Sequence, residues 1–315
     1  MLEARHLTVH YATDRGAVNA LDDVSLTLSA GETLGIVGET GCGKSTLGKA
    51  ILGVVPGNAR VRGQILFGGK DLLTLDDESF RRLRGKDIAL IFQDPMTRLN
   101  PLLKIEDHFI EEIRAHESVS RDKARTRARA ALKSMGIPES RMRNFPHEFS
   151  GGMRQRIMIA LALVMRPSVI IADEPTTSLD VIVEAQILEI LEDLRKAYQM
   201  ALLLITHNLG IVAEACDRVA VLYAGKIAEI GPVRDIFARP IHPYTQGLLK
   251  SVIHLETKEL SSIEGSPPDL VDPPTGCRFH PRCPYAQEIC TKEVPALVEY
   301  REHQAAACHF GKDFV

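Results

Sequence analysis

The chain opens on alternation. His6-Leu7-Thr8-Val9-His10-Tyr11 and then Val24-Ser25-Leu26-Thr27-Leu28 place an apolar side chain at every second position. Successive side chains of a strand point to opposite faces, so this pattern predicts half-buried antiparallel strands. Thr33–Val37 is instead almost continuously apolar and stops at Gly38, the form of a strand covered on both faces. Ile88–Gln93, Val169–Asp173, Ala201–Thr206 and Val219–Tyr223 repeat that form. A helix is expected from Ser45 to about Leu52, and Asp180–Tyr198 has the recurrence of one long amphipathic helix. Strands alternating with helices predict an α/β fold whose sheet is largely parallel and covered on both faces.

From about Pro95 to Arg166 the strand pattern stops, which predicts an inserted α-helical subdomain over 95–166. Within it, Asp122–Met135 gathers alanine, leucine and methionine on one side and many arginines on the other. Such a helix could meet phosphate or lipid headgroups; a solvated face is the plainer account. After Ile253 the texture changes to the Pro/Gly/Ser-rich run SSIEGSPPDLVDPPTG, a linker, and then to a short cysteine-bearing segment, Gly276–Phe310. The expected division is therefore a main domain over 1–253 and a linker with C-terminal extension over 254–315.

Composition narrows the setting. The longest apolar run, Ile157–Met165, is far short of the roughly 20 residues of a spanning helix. The first residues lack the apolar core of a signal peptide, so a cytosolic location is expected. A net charge of −3 over 315 residues gives no general attraction to nucleic acid. In the cytosol six cysteines do not form a disulfide framework; metal ligands or plain thiols are expected.

Gly38-Glu39-Thr40-Gly41-Cys42-Gly43-Lys44-Ser45 fits G-x-x-x-x-G-K-[ST], between an expected strand and an expected helix, and Thr46 continues it. Its glycines let backbone N–H groups wrap the phosphates of ATP, and the following helix adds its positive end. Lys44 can reach the β- and γ-phosphates, and the Ser45 hydroxyl can bind Mg²⁺. Cys42 occupies a position whose backbone does the binding; a reactive thiol, open to alkylation without ATP, is the rival account.

Val169–Asp173 ends in the carboxylate pair Asp173-Glu174. Asp173 is placed to approach the Mg²⁺, and Glu174 to orient the attacking water and accept its proton. Gln93 and His207 end two further strands. In a parallel sheet such ends converge on the ligand crevice, so Gln93 can offer its carbonyl to Mg²⁺ and His207 an N–H to the γ-phosphate.

Phe149-Ser150-Gly151-Gly152-Met153-Arg154-Gln155-Arg156 resembles the signature motif of ABC ATPases, usually L-S-G-G-Q, with Phe149 for Leu and Met153 for Gln. The order P-loop, Gln93, signature, Asp173-Glu174, Ser178-Leu179-Asp180, His207 is similar to the whole ABC set over roughly 1–235. Phe92-Gln93-Asp94-Pro95-Met96-Thr97, Leu99-Asn100-Pro101, the Gly-Gly-Met-Arg-Gln-Arg signature and His242-Pro243-Tyr244-Thr245 resemble the oligopeptide/dipeptide importer ATPases more narrowly. Arg98 departs from that family's usual Ser, in a stretch that should face the membrane subunits.

The resemblance implies a P-loop ABC ATPase core with an N-terminal antiparallel β-subdomain and an inserted helical subdomain. It further implies that Ser150, Gly151 and Gly152 of one subunit close on ATP held by the P-loop of another. Asp180 would lie at that junction, and Tyr11 would stack on adenine. Implied partners are two transmembrane permease subunits, a second ABC ATPase (a paralogue, or a second copy) and, indirectly, an extracytoplasmic solute-binding protein. The protein would sit peripherally on the cytoplasmic face of the inner membrane and energise import of di- or oligopeptides. Nickel, glutathione or oligosaccharide cargo is the alternative, and a soluble ABC ATPase acting on nucleic acid or ribosomes the more distant one.

Cys277, Cys283, Cys290 and Cys308 follow C-x5-C-x6-C-x17-C in a segment too small for its own core. Their soft thiolates point to structural zinc or an iron–sulfur cluster, at spacings wider than a zinc ribbon. The resemblance favours a [4Fe–4S] cluster, since some peptide-importer ATPases carry one here; zinc stays the alternative.

Overall fold

The computed structural model describes residues 1–92, 99–176, 181–251 and 263–315. Gln93 and Asp180 lie outside the described residues. The chain forms two compact units, 1–74 with 204–315, and 75–203.

The first unit opens with strands β1 (Leu2–Thr13), β2 (Gly16–Leu28) and β3 (Thr33–Val37), helix α1 (Lys44–Ile51), and strands β4 (Ala59–Phe67) and β5 (Lys70–Asp71). The second contains α2 (Asp77–Leu83), β6 (Ile88–Ile91), α3 (Ile105–His116), α4 (Arg121–Ser134), α5 (Gly151–Leu163), β7 (Val169–Asp173) and α6 (Val181–Tyr198). Strand β8 (Ala201–Ile205) returns the chain to the first unit. There follow α7 (Leu209–Ala215), β9 (Arg218–Tyr223), β10 (Lys226–Pro232), α8 (Val233–Ala238), α9 (Pro243–Lys250), α10 (Glu288–Lys292), β11 (Val298–Arg301) and β12 (Gln304–Ala306).

The expected alternation produces the expected antiparallel sheet: β1 pairs with β2 on one side and β4 on the other. One irregularity explains why the pattern begins only at His6. Leu2 and Ala4 are buried, yet so are Leu7 and Val9, whose parity is opposite. A bulge between Ala4 and Leu7, with His6 at φ 49°, adds one residue and returns the apolar set to the covered face.

The second sheet of this unit is mixed. β3 runs parallel to β9, with Leu34 opposite Arg218 and Val37 opposite Val221. From β9 outward the order β9-β10-β12-β11 is antiparallel throughout. The largely parallel sheet of the sequence reading therefore needs correction here: short turns make hairpins of β9–β10 and β11–β12, and the second hairpin adds to the edge of β10 after a long excursion from Pro232.

The cysteine-bearing segment does not hang free. Ala306 of β12 pairs with Glu229 of β10, and Phe279 packs with Val37, Tyr223 and Tyr244 in one core. Strands of four and three residues are too short to register as a pattern, so the sequence reading left this packing out. His242 is buried there, and burial depresses its pKa to about 4, keeping the ring neutral so that Nδ1 accepts from the Tyr244 N–H at 3.0 Å.

In the second unit β6 and β7 run parallel, Ile88 opposite Val169 and Ile91 opposite Ala172. Helices α3, α4 and α5 occupy the region expected to be helical. The arginines of α4 keep the solvated face expected of them, Arg121 and Arg129 being exposed, and they also pair with acids. Arg121 pairs with Asp107, Arg125 with Glu106 at 3.0 Å, Arg127 with Glu117 at 2.6 Å and Arg129 with Glu139 at 2.7 Å.

Candidate functional site

Glycine carries the loop from β3 to α1 through backbone that other residues resist. Gly38, Gly41 and Gly43 have φ of 151°, 81° and 110°. A Cβ on Gly38 would stand 2.1 Å from the Leu222 carbonyl oxygen, and one on Gly43 2.3 Å from that of Ala20. Both obstacles are backbone, so neither site accepts a side chain. No side chain caps α1 and no acidic residue lies in its first turn, which suits that end to an anion.

Lys44 is buried, and its ammonium donates to the carbonyls of Gly38 at 2.8 Å and Glu39 at 3.0 Å. The lysine therefore stands over its own loop, while Thr40 and Gly41 at the crest are exposed. Ser45 and Thr46 follow in the first turn of α1, and the Tyr11 hydroxyl donates to Thr46 Oγ1 at 3.3 Å. The ring expected to meet adenine is thus fixed beside the loop. Cys42 is buried, and burial pushes its thiol up, which disfavours the thiolate.

His207 reaches the same end of the first unit. The Thr206 N–H donates to the Ile36 carbonyl at 3.2 Å, so the chain leaves as His207 on one side and as the Gly38 loop on the other. His207 is exposed, and Asn208 caps α7 behind it by accepting from the Gly210 N–H at 3.0 Å.

The second unit holds the remaining described candidates. All five positions of β7 are buried, and Asp173 ends the strand 7% exposed. Glu174 follows at φ 47°, a left-handed backbone that costs a non-glycine residue roughly 1–3 kcal/mol and that clusters at functional positions. Ser150 caps α5, its Oγ accepting from the Met153 N–H at 3.4 Å. The helix starts at Gly151, because Ser150 takes the cap position. Among the described residues a Cβ on Gly151 would meet nothing within 4 Å, so packing here does not require that glycine.

Sequence reasoning missed one connection in this unit. The Gln155 side chain, 2% exposed, donates from Nε2 to the Pro175 carbonyl, tying the signature helix to the turn after Glu174. Gln155 was visible only as a letter in the motif; its partner depends on folding.

Known proteins sharpen these features. Residues 21–177 match the ABC transporter family, and 228–290 match the oligopeptide/dipeptide transporter C-terminal region. The chain is 46% identical over 312 residues to the oligopeptide transport ATP-binding protein OppD of Salmonella typhimurium, covering 98% of this chain and 93% of that one. It is 49% identical over 314 residues to the dipeptide transport ATP-binding protein DppD of Bacillus subtilis, covering 98% and 94%. The chain belongs to the oligopeptide/dipeptide ABC transporter ATP-binding family.

As an ABC ATPase it also shares its fold with solved cassettes. A dimeric post-hydrolysis ATP-binding cassette bound to ADP and Pi superposes with TM-score 0.68 at 26% identity, covering 74% of this chain and 99% of that one. An ABC transporter cassette from Clostridium perfringens gives 0.65 at 30% identity, covering 75% and 90%.

The four cysteines expected as ligands line one cavity of this ABC ATPase, with Phe310 among its walls. Burial, and then the repulsion of one thiolate by another, raise Cys277 and Cys308 to about 11 and lift Cys283. A soft cation among them would reverse that balance, so the donor chemistry fits a metal group. Yet among the described residues no group of three or more His, Cys, Asp or Glu side chains could hold a metal ion, so the geometry gives the expected cluster no support.

Proposed function

We propose that this ABC ATPase is the motor of an importer for di- and oligopeptides, working as one of two nucleotide-binding subunits. The observation that carries the reading is near-full-length similarity to ATP-binding proteins named for oligopeptide and dipeptide transport, including the C-terminal region over 228–290. No helix among the described residues is long and apolar enough to cross a membrane. Two permease subunits supply the membrane path in this reading, and this chain is held peripherally on their cytoplasmic side.

In this reading the 1–253 core binds ATP and 254–315 is its extension. Backbone N–H groups of Gly38–Thr46 cradle the phosphates and Lys44 supplies positive charge. Ser45, Asp173 and Gln93 hold Mg²⁺, Tyr11 meets adenine, and Glu174 orients the attacking water and takes its proton as His207 donates to the γ-phosphate. Ser150, Gly151 and Gly152 serve the nucleotide of the facing ATPase, with Asp180 at the junction; the open space about Gly151 supports such an approach. A paralogue is the preferred facing ATPase, and a second copy is chemically sufficient.

Transport in proteoliposomes holding both permeases and both ATPases tests the cargo. ATP-driven uptake of a labelled dipeptide is expected, with stimulation by a peptide-loaded binding protein. Stimulation by nickel or an oligosaccharide, and not by peptide, would overturn the peptide assignment.

For the extension, Cys277, Cys283, Cys290 and Cys308 would hold a [4Fe–4S] cluster as a clip, with no step of ATP hydrolysis passing through it. Anaerobically purified protein is expected to be brown and to contain iron and acid-labile sulfide, both lost in Cys283→Ser. A colourless preparation holding zinc would assign zinc instead.

A further inference from the structure

One arginine reaches the phosphate loop from the far end of the chain and has no part in the mechanism above. Arg282 Nη1 donates to Glu39 Oε2 at 2.7 Å and Nη2 to Glu39 Oε1 at 3.0 Å, a two-pronged pair. Its side chain is 6% exposed and that of Glu39 24%. The remaining donors are also engaged: Nε with the Glu264 carbonyl at 2.9 Å, Nη1 with the Tyr223 hydroxyl and Nη2 with the Ile263 carbonyl, both at 3.3 Å.

Glu39 is held at its other groups too. Its N–H donates to the Tyr244 hydroxyl at 3.0 Å, and its carbonyl accepts from Lys44. Only its carboxylate carries charge, and that charge has the wrong sign for a loop built to receive phosphate. A second arginine of the same segment braces the neighbouring turn. Arg278, 8% exposed, donates to the Ala224 carbonyl and to Asp22 Oδ2, and the adjacent Gly225 N–H donates to the Cys42 carbonyl at 2.9 Å. Each arginine stands beside a cysteine, Arg278 next to Cys277 and Arg282 next to Cys283.

We propose that Arg282 is a positioning residue for nucleotide: it cancels the charge of Glu39 and keeps that carboxylate out of the phosphate cradle. Nucleotide affinity is thereby set in part by the cysteine-bearing segment. The proposal rests on the reading that the Gly38–Thr46 loop binds ATP. It uses only contacts within the first unit.

The test is equilibrium titration of the purified full chain with Mg²⁺ and a fluorescent ATP analogue, run beside thermal unfolding. One unmatched charge within ~10 Å, acting through an effective dielectric of ~20, changes binding by about tenfold. Arg282→Gln is therefore expected to weaken binding about tenfold, whereas Glu39→Gln, which leaves Arg282 unmatched, tightens it. The double variant returns to within about threefold of the unaltered chain, and Arg282→Lys, which keeps the charge, stays within about the same range. Both single variants lower the Tm, since each strands a partly buried charge. Opposite signs in affinity with the same sign in Tm separate the proposal from a purely structural brace. Weaker binding by both single variants, or equal losses in Arg282→Lys and Arg282→Gln, would overturn it. If the unaltered chain bound no nucleotide, the ATPase reading itself would fall, and this inference with it.

Discussion

Glu174→Gln is expected to lower ATP turnover by roughly 10²–10³-fold while leaving nucleotide binding within about twofold, the range a lost general base accounts for. Glutamine keeps the length and shape of the side chain and removes only its ability to accept a proton. The structure adds a reason to single out this carboxylate over its neighbour. Asp173 ends a strand buried at every position, whereas Glu174 is turned off the strand through a left-handed backbone. Steady-state turnover and an equilibrium titration on the same preparation separate the two effects. Unchanged turnover would remove Glu174 from its role, and equal losses in both would make it a binding residue.

Lys44→Ala is expected to fail earlier, at binding. Removing a charge-assisted donor to the phosphates should weaken affinity for ATP by about 10–100-fold. In this chain the same ammonium also holds the carbonyls of Gly38 and Glu39, so the variant loosens the loop it serves. Nucleotide protection reads both effects: the unaltered chain should gain several degrees in Tm with saturating ATP and Mg²⁺, and Lys44→Ala almost none at the same concentration. An equal gain in both would contradict the role of Lys44.

Much of this was legible in the amino-acid order because its determinants are local. Thr33–Val37 and Val169–Asp173 are strands with the expected ends, since continuous apolar runs closed by Gly or carboxylates admit few other readings. The phosphate loop was readable from its glycines, and the structure supplies the reason for two of them in the carbonyls of Leu222 and Ala20. What stayed hidden depends on distant partners. The bulge at His6 is invisible until β1 finds both neighbours. The strain at Glu174 is a property of backbone angle rather than of residue type.

The cysteine segment taught the same lesson from the other direction. Its strands are too short to announce themselves, and its apolar residues fill a core begun by β3 and β9 rather than one of their own. Arg282 lies 243 positions from Glu39, so no window on the sequence could join them. The arginines of α4 were legible as a basic face, but the acids that meet them come from α3 and the loops about it.

In the proposed mechanism ATP is cleaved only where the signature of one cassette faces the phosphate loop of another. Turnover per subunit, followed while the assembled ATPase pair is diluted through its dissociation into single chains, tests this most directly. The account predicts that specific activity falls in step with the fraction still paired and vanishes with the last pairs. Full specific activity from chains shown by sedimentation to be single would contradict it.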